Sequence, residues 1–292
     1  MSELAALPVA ILGAAAGVLG LLVGSFLNVV IHRLPRGESI VTPRSRCPGC
    51  QRQITALENI PVLSWLWLRG RCRGCGAAIS LRYPAIELLT GALFAAIVMR
   101  HGAVAMTPAW LGLAAALIAA AAIDFDHRII PDEISLGGLL LATACVPALQ
   151  TLAGSAFSAA LLHSVAGAAL GGGVLWLVGF AHARYCVARG RRFEHWPGEG
   201  EPPPAPSSLD YWTWFPGLGF GDVKLLALVG AVLGPFGVLE TLVAASLAGL
   251  ALGIGWAVVT RRWNAPFGFG PAIAAGALLV ILAPPDLLDL IH

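Results

Sequence analysis

The sequence predicts an all-α polytopic membrane protein with about eight transmembrane helices and a small cytoplasmic zinc-binding insert. Three observations lead to this fold class. Of the 292 residues, 58% are hydrophobic and only 12% are charged, whereas soluble domains carry about 25% charged residues. The apolar residues form long runs, and the basic residues are concentrated in a few segments between those runs. Lipid must therefore cover much of the apolar surface.

The long apolar runs set the expected membrane spans, because a spanning helix needs about 20 mostly apolar residues. The first run, residues 7–31, follows no basic segment and exceeds the roughly 7–15 apolar residues of a signal peptide. We therefore expect it to be a retained first helix. The other expected spans are 84–100, 109–124, 134–151, 159–182, 222–239, 241–260 and 271–290. Small residues recur in several of these runs, which favours close packing of helix backbones in lipid.

The basic residues orient these spans. Of the 18 Lys and Arg residues, nine lie between Arg33 and Arg82, and four lie between Arg184 and Arg192. Cytoplasmic loops carry the excess of Lys and Arg, so we expect both segments in the cytoplasm and both termini on the opposite side. The formal net charge of +2 is small and argues neither for nor against nucleic acid. From the apolar spans we expect membrane lipid as a partner, and we expect no nucleic acid.

Two polar segments divide the chain into three expected parts. Residues 1–31 form a first transmembrane helix, residues 32–83 form a cytoplasmic four-cysteine domain, and residues 84–292 form a transmembrane core. The core contains a cytoplasmic loop, 183–220, that begins basic and continues through prolines and serines. Such a composition is typical of a mobile linker.

The insert holds two Cys-x-x-Cys knuckles, formed by Cys47, Cys50, Cys72 and Cys75. Two knuckles separated by about 20 residues match the spacing of a tetrahedral structural zinc site. Four thiolates would leave no open position for water, so the predicted Zn²⁺ has a structural role. The alternative is a pair of redox-active dithiols, although a reducing cytoplasm disfavours disulfides.

Two aspartates stand at the cytoplasmic ends of expected spans, Asp124 at the end of the third and Asp222 at the start of the sixth. Ionisable residues in membrane spans are costly and indicate function. Facing carboxylates that share one proton can hydrolyse an amide, one as base and the other as acid. A charge at the lipid boundary, or an acid that favours a helix N-terminus, is the simpler alternative. Gly219 and Gly221 would let a substrate backbone approach Asp222.

The neighbouring charged residues have simpler expected roles. Lys224 either pairs with Asp222 or extends its ammonium group to the interface. Asp126, Asp132 and Glu133 are most simply solvated loop acids, and Asp132 is alternatively a cap for the fourth span.

With these motifs in place, the chain resembles the bacterial prepilin peptidases, which are type IV leader peptidases and GxGD aspartic proteases. The resemblance covers nearly the whole length, and its motifs occur in the family's order. These motifs are GSFLNVVIHRLP at 24–35, the two cysteine knuckles, ENIPVLSW at 58–65, RYP at 82–84 with Glu87, the segment 123–132, GFGDVKLL at 219–226 and PFG at 266–268.

The resemblance implies an activity in the bacterial inner (cytoplasmic) membrane, with both termini periplasmic. Family members cut the leader from type IV prepilins and type II secretion pseudopilins after a glycine, on the cytoplasmic side. They then methylate the new N-terminal amine with S-adenosyl-L-methionine. The family's catalytic pair falls on Asp124 and Asp222, with Gly219, Gly221 and Lys224 in support, and its zinc ligands fall on the four cysteines.

For methyl transfer, the match to the family's residues is less direct than for the catalytic pair. The family's Gly-Lys pair before the third cysteine appears here as Gly70-Arg71, which keeps the charge but changes the donor geometry. Glu58 either belongs to the methyl-donor site or is a solvated acid. The segment 193–215 departs from the family pattern, and no role is predicted for it.

Three other functions fit parts of the sequence. A transporter could use the two aspartates as a proton relay, but its acids would lie near mid-membrane. A membrane-anchored zinc ribbon could bind a partner without using the aspartates. A metal-dependent lipid enzyme could use Asp124-x-Asp126.

Overall fold

The computed structural model describes residues 8–191, 204–261 and 268–283. Across these ranges the chain is helical, and β pairing is limited to three isolated bridges. The all-α prediction is therefore confirmed. The helices are α1 (Val9–Arg33), α2 (Leu63–Trp67), α3 (Arg82–His101), α4 (Thr107–His127), α5 (Asp132–Leu152), α6 (Phe157–Ala188), α7 (Asp210–Thr213), α8 (Phe220–Thr260) and α9 (Gly270–Leu282).

Within the described ranges, six helices are long and apolar enough to cross a membrane, namely α1, α3, α4, α5, α6 and α8. The expected number was about eight. The difference arises because two expected spans, 222–239 and 241–260, lie together in α8, and because α9 is a shorter apolar helix. These helices make the chain an integral membrane protein.

The long helix α8 contains a sharp bend at Gly234, which has φ 76° and ψ −178° and precedes Pro235. A Cβ placed on Gly230 would lie 2.8 Å from Val238 Cγ2. In a straight helix, residues eight apart are separated by about 12 Å along the axis. The chain therefore folds back at Gly234, and α8 has two arms, 220–233 and 235–260. The expected boundary near residue 240 was several residues too late.

Contacts along the chain define two compact units. The first comprises Met1–His127 with Ile281–His292, and the second comprises Arg128–Val280. In the first unit, α1 packs closely on α3: a Cβ on Gly24 would lie 2.7 Å from Glu87 Cα, and one on Gly20 would lie 2.8 Å from Gly91 Cα. Small residues thus bring the two backbones into direct contact.

In the second unit, α6 packs along α8 with similar closeness. Cβ atoms on Gly167 or Gly171 would overlap the backbone of α8 at Gly230 or Leu226. The buried Ser164 hydroxyl donates to Ala231 O across this contact at 2.8 Å. The expected close packing of small residues is therefore found at this helix pair.

The division into residues 1–31, 32–83 and 84–292 stays a prediction. Some sequence features lie outside the described residues. These are residues 1–7, Arg192 with Phe193, the prolines Pro202 and Pro203, Arg262 with Pro266 and Phe267, and the last part of the expected eighth span, 284–290.

Candidate functional site

The four predicted metal ligands come together in the insert. The Sγ atoms of Cys47, Cys50, Cys72 and Cys75 all lie within 4.8 Å of one another. Cys47 Sγ is 3.7 Å from Cys75 Sγ, and Cys50 Sγ is 4.0 Å from Cys72 Sγ. A tetrahedral ion with Zn–S bonds of about 2.3 Å separates its sulfurs by about 3.8 Å. The cluster could therefore hold a tetrahedral metal ion.

The two knuckles have matching backbone hydrogen bonds. Cys47 N donates to Arg52 O at 2.9 Å, and Cys72 N donates to Ala77 O at 2.8 Å. Both knuckles thus turn back through a short loop, which presents their sulfurs to a common centre. This shared geometry explains why local sequence spacing predicts the cluster.

Backbone amides tune the thiols of the second knuckle. The N–H groups of Cys75 and Gly74 hydrogen-bond to Cys72 and lower its pKa to about 6. The Ala77 N–H acts to lower the pKa of Cys75, but hydrogen bonding by Cys47, burial and the other thiols outweigh it and raise the value to about 11. Backbone amides therefore favour the thiolate of Cys72, whereas the neighbouring thiols favour the protonated form of Cys75.

Glu58 forms local interactions within the insert. Its carboxylate accepts hydrogen bonds from Thr55 N at 3.1 Å and Thr55 Oγ1 at 3.0 Å, and it forms an ion pair with Arg52. The Thr55 amide, followed by Arg52, lowers the pKa of Glu58 to about 2. Glu58 therefore stabilises the turn that follows the first knuckle, and its role in methyl transfer stays a prediction.

Gly70 and Arg71 lie between α2 and the second knuckle. Gly70 is buried with φ 65°, and a Cβ there would lie 2.9 Å from Trp65 Cζ2. Both the positive φ and the ring contact require glycine. Arg71 is exposed and forms a bridge with Ala78 through its backbone. The segment therefore presents a guanidinium beside a tightly fixed backbone.

Asp124 lies in the last turn of α4 and is only 6% exposed. Arg82, the first residue of α3, contacts the same helix end on both sides of Asp124. It forms an ion pair with Asp126 and donates to Ala122 O at 3.1 Å. The expectation that Asp126 is merely a solvated acid was therefore wrong, because this acid pairs with a neighbouring helix.

Asp222 lies in the first turn of α8 and is 7% exposed. A Cβ on Gly219 would lie 3.4 Å from Asp222 Oδ2, so the backbone of this glycine is beside the carboxylate. A Cβ on Gly221 would instead lie 3.0 Å from Ile130 Cβ. Gly221 thus faces a neighbouring side chain of its own unit, and the predicted close approach of a substrate fits Gly219 better.

Lys224 forms an ion pair with Asp132 at the start of α5. The pair joins the first residue of α5 to the second turn of α8. Asp132 is therefore not only a solvated acid, as was expected, and Pro131 rather than Asp132 is the residue at the N-cap of α5.

An aromatic cluster, for which the sequence predicted no role, packs just before the Gly219–Asp222 turn. Trp212 stacks on Phe180 of α6 with ring centroids 5.3 Å apart, and Trp176 Nε1 donates to Trp212 O at 2.9 Å. The Arg184 guanidinium lies 3.8 Å from the Tyr211 ring centroid. A cation over an aromatic face is stabilising. The spacing of Trp176, Phe180 and Arg184, four residues apart on one helix face, was the available signal.

Two protein-family models match the chain. Residues 18–101 match the Bacterial Peptidase A24 N-terminal domain, and residues 111–254 match the Type IV leader peptidase family. No solved structure matches significantly.

Several named proteins are similar over most of the chain. A prepilin leader peptidase/N-methyltransferase of Aeromonas hydrophila is 37% identical, over 90% of this chain and 87% of its own length. One of Myxococcus xanthus is 42% identical, over 84% of this chain and 63% of its own. A type 4 prepilin-like proteins leader peptide-processing enzyme of Escherichia coli is 35% identical, over 90% of both chains. Taken with the two family matches, this similarity establishes that the chain belongs to the type IV leader peptidase family.

Proposed function

We propose that this chain is a prepilin leader peptidase and N-methyltransferase in which Asp124 and Asp222 are the catalytic pair. The observation that carries the proposal is that both aspartate residues are more than nine-tenths buried, at 6% and 7% exposure, at the ends of membrane helices. An ionisable group in such a position is costly and indicates function. In addition, both acids lie in segments that match the peptidase family model.

The chemistry follows from sharing one proton between two acids. The ionised carboxylate removes a proton from the attacking water while the protonated one donates to the scissile carbonyl. The amide then breaks when the leaving nitrogen receives a proton. The mechanism requires one acid to be protonated while the other is ionised, because only the protonated form donates a proton and only the ionised form accepts one. Gly219, whose backbone is beside Asp222, leaves room for the substrate chain.

Methyl transfer is the second proposed activity. S-adenosyl-L-methionine, when bound, supplies the methyl group that the new N-terminal amine accepts. The guanidinium of the exposed residue Arg71 suits the carboxylate of this donor, and Gly70, buried against the Trp65 ring, fixes the backbone that precedes it. Glu58 is the third proposed member of the set, and Thr55 and Arg52 already contact its carboxylate.

The four cysteines are proposed to hold Zn²⁺ in a closed structural site. The sulfur spacing of 3.7 and 4.0 Å suits its bond length. The proposed substrates are type IV prepilins and type II secretion pseudopilins; the relatives' names mention only prepilins and type 4 prepilin-like proteins. The proposed location is the bacterial inner membrane, with the insert and the acids facing the cytoplasm and both termini in the periplasm. The distribution of basic residues supports this orientation.

The test is a cleavage assay with purified protein in detergent and a prepilin substrate. We expect Asp124→Asn and Asp222→Asn each to slow leader removal by at least about 10²-fold, because each loses a proton-transfer group. The same variants should still methylate a synthetic pilin peptide that begins at the mature N-terminus. Glu133→Gln, at an exposed acid in the first turn of α5, is the control and should cleave at the wild-type rate. Cleavage that persists in either active-site variant would refute the catalytic pair.

A further inference from the structure

The insert contains a strained turn centred on Val62. This residue has φ 60° and ψ −50°, and Leu63 N donates to Pro61 O at 2.6 Å. The combination is a classic γ-turn, which is rare and strained. A β-branched residue at positive φ is a further outlier. Backbone strain of this kind persists only where the surrounding structure holds it.

A buried acid of a membrane helix holds this turn. The Val62 N–H donates to Glu87 Oε2 at 2.7 Å. Glu87 lies in the second turn of α3 and is 8% exposed, and α1 packs against its backbone at Gly24. An acid in a membrane span is costly without a strong partner. The contact therefore joins the insert directly to the α1–α3 pair.

The turn leads at once into α2, and α2 contacts the segment proposed for methyl transfer. Trp65 O accepts from Gly70 N at 2.8 Å, and Trp65 Nε1 donates to Ile79 O at 3.1 Å. Ile79 N in turn donates to Gly70 O at 2.7 Å. The position of α2 therefore determines the position of Gly70 and of Arg71, which follows it.

We propose that Glu87 is a positioning residue for methyl transfer. By holding Val62 in its strained conformation, Glu87 fixes the start of α2. The hydrogen bonds of Trp65 to Gly70 N and Ile79 O then fix the positions of Gly70 and Arg71. The inference depends on the proposed methyltransferase function. It assigns no part in leader cleavage to Glu87, since cleavage uses the acids of α4 and α8.

The test compares two reactions in the same preparations: removal of the leader from a prepilin, and methylation of a mature-sequence peptide. Glu87→Ala should lower methyl transfer at least about tenfold and change cleavage by less than about threefold. Glu87→Gln keeps an oxygen acceptor for the Val62 amide, so it should methylate at close to the wild-type rate. Glu38→Ala, which removes an exposed acid of the insert, is the control and should change neither rate.

A second-site substitution separates positioning from general loss of stability. Glycine adopts positive φ readily, so Val62→Gly should allow the turn to form without Glu87. We expect Val62→Gly alone to behave as wild type and the pair Val62→Gly with Glu87→Ala to regain methyl transfer to within about threefold. If Glu87→Ala does not fold, the double variant and Glu87→Gln carry the test.

Three results would overturn the inference. These are equal losses of cleavage and methylation in Glu87→Ala, failure of Val62→Gly to restore methylation, and inactivity of Glu87→Gln. Failure of the proposed function would be distinct, because the wild-type protein itself would then lack one of the two reactions.

Discussion

Arg82 is a single residue that stabilises the helix end carrying Asp124. Its side chain is 40% exposed, and its guanidinium makes both the ion pair with Asp126 and the hydrogen bond to Ala122 O. An exposed ion pair alone contributes about 0–1 kcal/mol to stability. The main effect of Arg82 is therefore to position the end of α4 rather than to stabilise the fold. The planar donor fork of arginine suits two simultaneous acceptors, which lysine cannot reproduce.

We therefore predict a graded loss of peptidase activity at this position. Arg82→Ala should reduce the rate of leader cleavage by roughly tenfold, because a small misplacement of a catalytic group is costly. The rate of Arg82→Lys should lie between those of the wild type and Arg82→Ala. The measurement is kcat for prepilin cleavage, with zinc content as a check that the insert is intact. Equal rates for wild type and Arg82→Ala would contradict this role.

The contacts of Glu58 predict how its contribution to the stability of the insert depends on pH. Its ordinary pKa of 4.5 is lowered to about 2 in the folded insert. A depressed carboxyl pKa contributes stability that is fully present above about pH 4.5 and is lost as the pH falls toward 2. The Thr55 amide resonance of the whole protein, labelled with ¹⁵N-threonine in detergent, should therefore titrate with a midpoint near 2. Arg52→Ala should raise that midpoint, and a wild-type midpoint near 4.5 would show that the contacts do not form.

Residues differ in how far sequence predicts their contacts. The four cysteines are predictable because each knuckle closes locally and one ion dictates the spacing. Glu87 is different: its partner, the Val62 amide, is 25 residues away. A backbone amide also carries no signature in the sequence. The γ-turn at Val62 is no more predictable, because it contradicts the local preference of a β-branched residue.

At the scale of helices, glycine spacing determines how closely two elements approach. Gly171 and Gly173 belong to the same turn of α6 but have different surroundings. A Cβ on Gly171 would overlap the backbone of α8, whereas a Cβ on Gly173 meets no atom within 4 Å. The two positions therefore provide a matched pair in which helix propensity is constant and packing differs.

Alanine at these two positions should have opposite effects. Gly173→Ala should be neutral or stabilising by about 0.5–1 kcal/mol, since alanine favours a helix over glycine. Gly171→Ala must separate α6 from α8 and should lower the thermal unfolding midpoint in detergent by several degrees, because overpacking costs about 1–3 kcal/mol. Equal midpoints for both variants would mean that the two helices do not pack as described.

Sequence hydropathy locates helices better than it locates their breaks. The runs at residues 84–100, 109–124, 134–151 and 159–182 each fall within one observed helix, because a continuous apolar run has few alternatives in lipid. The bend in α8 was misplaced because its residues are apolar on both sides. The local signal was Gly234-Pro235, since glycine takes positive φ and proline ends the preceding helix.

For the whole molecule, the metal-ligand cluster and the proposed catalytic acids belong to different parts of the chain. The cysteines lie in the insert between α1 and α3, whereas Asp124 and Asp222 lie in α4 and α8. A closed four-thiolate shell offers no position for a substrate or water. Metal binding should therefore support the fold of the insert without taking part in the hydrolytic step.

Removal of one ligand tests this separation. Cys72→Ser should lose bound zinc, reduce resistance of the insert to proteolysis and lower methyl transfer by at least about tenfold, because metal binding and folding are coupled in small metal sites. Leader cleavage should remain within about threefold of wild type, since proton transfer between two carboxyl groups needs no metal. Cys145→Ser, at an exposed cysteine of α5, is the matched control and should retain both zinc and activity. Loss of cleavage on chelation of a still-folded protein, restored by added zinc, would instead place the metal in the hydrolytic site.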